Sequence, residues 1–143
     1  MKKTEEVIFY TIDKSIKTYR QYAQKKLTEG GHNITIDQWL VLSVINDNQN
    51  INQIEIAAKV FKDKASVTRI IELLVRLNLI KRTVLANDRR RTDLRLTSKG
   101  EKILEDVGKI ISSNRKKALR NVTKEDILLL NTLLNKIIDN CHD

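Results

Sequence analysis

The residues best suited to chemistry are polar and basic, and they lie between Asn50 and Gly100. Four of them stand together at the start of one predicted helix: Lys64, Ser66, Thr68 and Arg69. Such side chains hydrogen-bond to base edges and to phosphate oxygens. Positions 81–99 then hold seven basic and two acidic residues, a local charge of +5 within a chain of +9. This concentration predicts a polyanionic partner, with nucleic acid ahead of an acidic membrane surface.

The bulk composition of the 143 residues fits one domain with a proper core. Cys141 is the single cysteine, so no intramolecular disulfide can form, which is typical of a reducing cytoplasm. The apolar run near the start is interrupted by Thr11, Asp13 and Lys14, so neither a signal peptide nor a membrane span is predicted. We therefore expect a cytoplasmic protein without a membrane partner.

Enzymatic motifs are missing from the sequence. It contains no G-x-S-x-G, no glycine-rich phosphate loop and no H-E-x-x-H, and two histidines with one cysteine leave almost no nucleophile–base pair. Cys141 and His142 are adjacent, but a metal site needs more converging ligands. We predict that the chain is not an enzyme and that it has no cofactor and no metal site.

Helical periodicity and capping residues indicate how the polar residues are positioned. A first helix is predicted over 5–28, ending at Gly30–Gly31. Three further helices are predicted to begin after the caps Thr35, Asn52 and Asp63. Absence of proline, and glycine at four positions only, favours a mainly helical chain.

Two short strands are predicted after these helices, over 80–84 and 94–97, with the loop ANDRRRTD between them. Two last helices follow, over about 98–119 and 124–141. Ser98 with Glu101 is predicted to cap the first of them, and Thr123 the second. The first helix and the last two carry apolar stripes outside the basic unit, and a dimer interface is their simplest use.

At this point the sequence resembles the MarR family of bacterial transcription regulators over essentially its whole length. Local patterns that match are ITIDQWLVL and DKASVTRIIELLVRLNLIKR. The most specific is D-x-R followed by Leu-Thr, here Asp88-Arg89-Arg90 and Leu96-Thr97, ahead of a helix with Gly100. One departure is Asn78, where the family usually has glycine; asparagine tolerates the left-handed conformation, so we expect the turn to survive.

The resemblance implies a mainly α fold with a small β wing, that is, a winged helix-turn-helix with N- and C-terminal dimerisation helices. Residues 1–143 would form one MarR-type domain, with dimerisation helices in 1–32 and 101–143 and the DNA-binding part in 33–100. It also implies a homodimer that binds a pseudo-palindromic operator, with recognition helices in major grooves about 34–36 Å apart. Repression is the expected outcome, since a dimer covering a promoter blocks polymerase.

The resemblance also assigns residues to DNA. Arg90 would enter the minor groove from the wing with Asp88 holding it, while Arg89 and Arg91 contact phosphates. The start of the recognition helix would contact the major groove through Lys64, Ser66, Thr68 and Arg69. Asn52 and Gln53 either cap the third helix or bind phosphate at its N-terminus.

A small-molecule effector is a further implication, because family members often bind aromatic or phenolic compounds. Tyr19, His32 and Trp39 are the candidates for such a site. For Tyr19 and Trp39, packing in the core is the favoured alternative, and His32 reads most simply as a surface histidine.

Two other binding classes remain as alternatives. A winged-helix module that binds protein instead of DNA would lack a cationic wing, and this chain has one. An RNA-binding protein would place stacking aromatic residues around the basic stretch, and the sequence has none there.

Overall fold

The computed structural model describes the backbone of residues 3–85 and 88–142, and the side chains of residues 3–83 and 93–142. Over these ranges the chain forms six helices and one antiparallel hairpin, in the predicted order. The elements are α1 Thr4–Glu29, α2 Ile36–Asp47, α3 Gln53–Val60, α4 Lys64–Arg76, β1 Ile80–Leu85, β2 Asp88–Leu96, α5 Ser98–Ala118 and α6 Lys124–Asn140. The predicted fold class, mainly α with a small β wing, is confirmed.

Most helices begin at the capping residue that the sequence predicts. Thr35 accepts a hydrogen bond from the backbone of Gln38 at 3.1 Å, and the Gln38 side chain accepts one from the Thr35 backbone at 3.0 Å. Asn52, Asp63 and Thr123 accept the corresponding backbone N–H bonds at the starts of α3, α4 and α6. These bonds satisfy donors that the first turn of a helix leaves free, which fixes where each helix starts.

The predicted cap of α5 is wrong. Thr97, not Ser98, is the N-cap, and its hydroxyl accepts from the backbone N–H of Gly100 at 3.0 Å. Thr97 has an extended backbone (φ −76°, ψ 170°), the conformation that an N-cap requires and that β2 already supplies. The cap can therefore follow the strand directly, and Ser98 becomes the first helical residue.

The start of α5 is packed onto the end of α4. The Thr97 backbone donates to the Leu79 carbonyl at 3.0 Å, and its hydroxyl donates to the Asn78 carbonyl at 2.6 Å. A Cβ at Gly100 would collide with the carbonyl oxygen of Leu79. Asn78 adopts the expected left-handed conformation at φ 60°. The Leu-Thr and glycine of the wing signature thus join two helices at one turn.

One hydrophobic cluster lies beneath α2, α3, α4 and the hairpin. Leu27 of α1 and Val107 and Ile111 of α5 belong to it, so the long helices are anchored in the same core. Its fully buried large side chains are Leu27, Val41, Leu42, Ile56, Val67, Ile71, Leu74, Ile80 and Val107.

The hairpin is longer than predicted. β1 and β2 pair from Ile80 opposite Leu96 to Leu85 opposite Asp88, with an irregularity after Val84. The backbone from Asp88 onward is therefore strand, where a loop was expected. The stretch gives no alternating apolar signal, so only pairing with β1 identifies it as a strand.

The outer helices present their apolar residues to solvent. Along its whole described length α6 has no buried residue, and Leu128, Leu129, Leu130 and Leu133 are all exposed. The first half of α1 likewise exposes most of its large apolar residues: Val7, Ile8, Phe9, Tyr10 and Ile16. Among the described residues, no helix is long and apolar enough to cross a membrane.

Candidate nucleic-acid interface

Helix α4 is strongly two-sided, which fixes the face that it presents. Val67, Ile71 and Leu74 are completely buried, and they hold the helix against the core. The opposite side near the N-terminus carries exposed Lys64 and Arg69. Because burial of three apolar side chains sets the rotation of the helix, the polar face must point outward.

The N-terminus of α4 is ordered by a charged cap. Asp63 accepts the Ser66 backbone N–H at 2.6 Å. This bond, followed by one from the Ser66 side chain, lowers the pKa of Asp63 from its ordinary value. Arg69 in turn donates to the Ser66 hydroxyl at 3.3 Å. The carboxylate thus stays ionised at neutral pH and keeps the first turn in place.

The structure brings together two residues that the sequence assigns to separate helices. The Thr68 hydroxyl lies 2.7 Å from Gln53 Oε1 and 2.9 Å from the Lys64 carbonyl oxygen. One hydroxyl proton serves one of these acceptors at a time. Gln53, the first residue of α3, is therefore held against α4. The neighbouring Asn52 side chain accepts from the Glu55 backbone at 2.8 Å, as its capping role predicts.

The described basic residues of the hairpin are exposed, and one of them is ion-paired. Lys81 and Arg82 of β1 are exposed. Arg95 is exposed as well, but it donates to the carboxylate of Asp93 at 2.6 Å, and Asp93 is only 6% exposed. Sequence reasoning counted both Arg95 and Asp93 in the local net charge of +5 but predicted neither their ion pair nor the burial of Asp93. The adjacent Leu94 is buried too, so no simple alternation marked the position.

Four of the assigned DNA contacts lie at the far end of the hairpin. Asp88, Arg89, Arg90 and Arg91 have their backbone in β2. Their side chains lie outside the described residues, as do Ala86 and Asn87 altogether. The structure therefore places the backbone of these four residues in the hairpin.

The three candidate effector residues occupy different surroundings. Trp39 is buried, and its indole N–H donates to the Leu104 carbonyl at 3.2 Å between α2 and α5. His32 is half-buried beyond the end of α1, where its backbone N–H donates to the Leu27 carbonyl at 3.1 Å. Tyr19 is half-buried and lines a groove of about 530 Å³ between α1 and the end of α5. The described lining of that groove includes neither His32 nor Trp39.

The α1–α5 groove is lined by further aromatic and basic residues that sequence reasoning did not assign to a site. Tyr22 lines it beside Tyr19, and Lys117 lies 5.0 Å from the centre of the Tyr22 ring. Lys14 and Arg120 complete a basic rim. The three-residue spacing of Tyr19 and Tyr22 could have suggested a shared face of α1, but Lys117 comes from a distant part of the chain.

Comparison with known proteins agrees with this architecture. A sequence model of the MarR family matches residues 34–92. The HTH-type transcriptional regulator FarR of Neisseria gonorrhoeae is 30% identical over 105 residues, which are 73% of this chain and 72% of that protein. The HTH-type transcriptional regulator MgrA of Staphylococcus aureus is 25% identical over 134 residues, 94% of this chain and 88% of that protein.

Among solved structures, a mutant MarR from E. coli complexed with operator DNA superimposes with a TM-score of 0.82 at 23% identity. The match covers 96% of this chain and 99% of that one. Fold and hairpin define a winged helix-turn-helix protein. The chain belongs to the MarR family, whose members are transcriptional regulators and not enzymes.

Proposed function

We propose that this regulator binds a pseudo-palindromic operator in double-stranded DNA as a homodimer and represses transcription by covering the promoter. The observation that carries the proposal is the exposed, cationic start of α4, capped by Asp63 and set beside an antiparallel hairpin. A helix of this width fits the major groove, and its N-terminal residues reach the base edges there.

Specific contacts follow from that placement. Lys64 and Arg69 are exposed where α4 would enter the groove, and Gln53, held by Thr68, would contact the flanking backbone. Ser66 supports Arg69 from within the same turn. Asn52 would present the N-terminus of α3 to a phosphate.

The hairpin would provide the remaining contacts. Arg90 would enter the minor groove with Asp88 orienting it, while Arg89 and Arg91 would pair with phosphates. Exposed Lys81 and Arg82 add positive charge at the base of the hairpin. Narrow minor grooves attract arginine because their negative potential is concentrated.

The homodimer is supported by the exposed apolar surface of the outer helices. Residues 1–32 and 101–143 would supply its interface, and residues 33–100 the DNA-binding part. A helix such as α6, apolar around much of its circumference yet without a buried residue, is marginal in water on its own. Burial against a second copy would stabilise it.

An effector would bind in the α1–α5 groove. Tyr19 and Tyr22 offer apolar ring faces, and the basic rim suits an acidic group on an aromatic or phenolic compound. Trp39 is held in the core by its hydrogen bond to Leu104, so it would affect the effector site only through core packing and not by direct contact. His32 lies outside the described groove lining. The compound would release DNA by changing the separation of the two recognition helices.

Binding to a palindromic duplex tests the proposal. Fluorescence anisotropy with DNA flanking the gene, against a scrambled duplex of the same length, should show a preference of at least about a thousandfold and a steep loss of affinity with salt. Arg69→Ala and Arg90→Ala should each weaken operator binding by about tenfold or more. Lys25→Ala, which removes an exposed charge on α1, is the control and should have little effect.

The same measurements distinguish the proposed function from the alternative, in which the partner is a protein. A winged-helix module that binds protein would show no preference for the palindrome, and Arg90→Ala would leave its duplex affinity unchanged. A flat plot of log affinity against log salt would also contradict the proposal, because phosphate contacts release counterions.

A further inference from the structure

A carboxylate at the start of α2 bridges two other parts of the fold. Asp37 Oδ1 accepts a hydrogen bond from Arg20 Nη1 of α1 at 3.0 Å. Asp37 Oδ2 lies 3.1 Å from Lys62 Nζ, in the turn between α3 and α4. The Asp37 side chain therefore joins α2 to α1 on one side and to the turn between α3 and α4 on the other.

The turn that receives this bridge sets the start of α4. Phe61 ends α3 in the left-handed conformation at φ 59°, and the Lys62 backbone N–H donates to the Ala57 carbonyl at 3.0 Å. Asp63, the next residue, is the cap of α4. Lys62 is thus fixed through its backbone to α3 and through its ammonium to Asp37, immediately before the recognition helix.

The bridge is partly shielded from water. The side chains of Asp37 and Lys62 are each 31% exposed, and that of Arg20 is 43% exposed. Partial burial by itself raises the pKa of Asp37, but hydrogen bonds and charges from Arg20 and Lys62 outweigh it and lower that pKa from its ordinary value. The carboxylate is consequently ionised throughout the neutral range, and the bridge is charged whenever DNA would be bound.

We infer that Asp37 is a positioning residue for DNA binding, which ties α1 to the turn at the head of α4 and so fixes the recognition helix relative to the rest of the protomer. The inference rests on the proposed function, because α1 would belong to the dimer interface. In a homodimer the separation of the two recognition helices must match the groove repeat. A tie between α1 and the head of α4 transmits the geometry of the interface to that separation.

If Asp37 positions α4, neutralising it should lower the affinity for the operator. If Asp37 acts only through its charge, neutralising it should raise that affinity. Removing a negative charge from a DNA-binding protein strengthens its attraction to any duplex. Loosening the turn instead weakens binding to the operator selectively, because only operator contacts depend on the exact placement of α4. The ratio of operator affinity to scrambled-duplex affinity therefore distinguishes the two.

The test uses Asp37→Asn in the full-length chain. We expect the ratio of the two affinities to fall about fivefold to tenfold, with the affinity for scrambled DNA unchanged or higher. Asp47→Asn is the matched control on the same helix: it removes the same charge from an exposed residue at the other end of α2, outside both dimerisation segments and outside the assigned DNA contacts. Asp37→Glu keeps the charge and should restore most of the ratio.

Amide hydrogen exchange without DNA provides the second measurement. In Asp37→Asn the amide of Lys62 should exchange about fivefold to tenfold faster, while Asp47→Asn should leave it unchanged. Equal ratios and equal exchange in the two variants would overturn the inference. If the natural chain did not distinguish operator from scrambled DNA, the proposed function would fail, and exchange at Lys62 alone would then decide whether Asp37 holds the turn.

Discussion

The helix-turn-helix unit and the C-terminal helix use similar apolar residues in opposite ways. In α4, Val67, Ile71 and Leu74 are completely buried, and the polar face that remains is small and cationic. In α6, Leu130 and Leu133 follow the same spacing and stay about half exposed. Each helix begins at a well-formed cap, Asp63 in one and Thr123 in the other.

The difference separates local from tertiary determinants of a helix. Caps and periodicity specify α6 as well as they specify α4, but in a single chain they give α6 no surface to pack against. Since most helical stability in proteins comes from tertiary packing, the unit around α4 is complete within one chain. The region around α6 is not, and the proposed homodimer would cover it with a second copy of the chain.

Replacing one leucine by alanine in α4 and one in α6 is the strongest test of this difference and has the largest expected effect. Leu74 is 0% exposed, so Leu74→Ala should lower the free energy of unfolding by about 4 kcal/mol at every protein concentration. Leu133 is 46% exposed in the single chain, so Leu133→Ala in a monomer should cost under about 0.5 kcal/mol. In a homodimer its cost should be about 2 kcal/mol well above the dimer dissociation constant and should shrink toward the monomer value on dilution. Urea unfolding at several concentrations measures both, and a concentration-independent result for the wild type would exclude the dimer.

The junction between the two regions gives the next largest effect. Gly100→Ala should destabilise the chain by about 2–3 kcal/mol, because the new methyl group meets the Leu79 carbonyl of the backbone. Gly108→Ala is the control on the same helix: its Cβ would lie 3.8 Å from the Trp39 ring, an ordinary contact. It should be neutral or stabilising by about 0.5 kcal/mol, since alanine favours helix. Equal melting temperatures for the two variants would contradict this account of the glycine.

The smallest expected effect on the free energy of unfolding concerns Phe61, in the turn between α3 and α4. Phe61 is 92% exposed and left-handed, so its ring gains little from folding while its backbone is strained. Phe61→Asn should raise the free energy of unfolding by about 0.5 kcal/mol, because asparagine tolerates this conformation better. Phe61→Ala keeps the strain and should be nearly neutral. A clear loss of stability in both variants would mean that the ring packs in the folded protein.

Local signals in the sequence were sufficient for much of the fold. The caps Thr35, Asn52, Asp63 and Thr123 are each a matter of three or four neighbouring residues, and all four are where they were predicted. The order of elements follows from the same short-range chemistry, whereas the left-handed Asn78 was expected from the resemblance to the family. The face of α4 was predictable because its apolar spacing is regular.

Features that depend on distant contacts could not be predicted this way. The extent of β2 depends on pairing with β1, and the burial of Asp93 depends on the packing of β2 against the end of α2. The α1–α5 groove joins Tyr22 to Lys117, nearly a hundred positions apart. For Arg90 and its neighbours the assignment to DNA stays a prediction.

Helix α5 is attached at its base to the end of the recognition helix α4. Thr97 and Lys99 bond to three successive carbonyls, those of Leu77, Asn78 and Leu79, so that the base of α5 is clamped to the exit of α4. With 21 residues α5 is a rod about 30 Å long. Val107 and Ile111 hold the middle of this rod in the core, and Lys117 near its far end lies over the Tyr22 ring. One helix therefore connects the exit of the recognition helix with the α1–α5 groove, about 30 Å away.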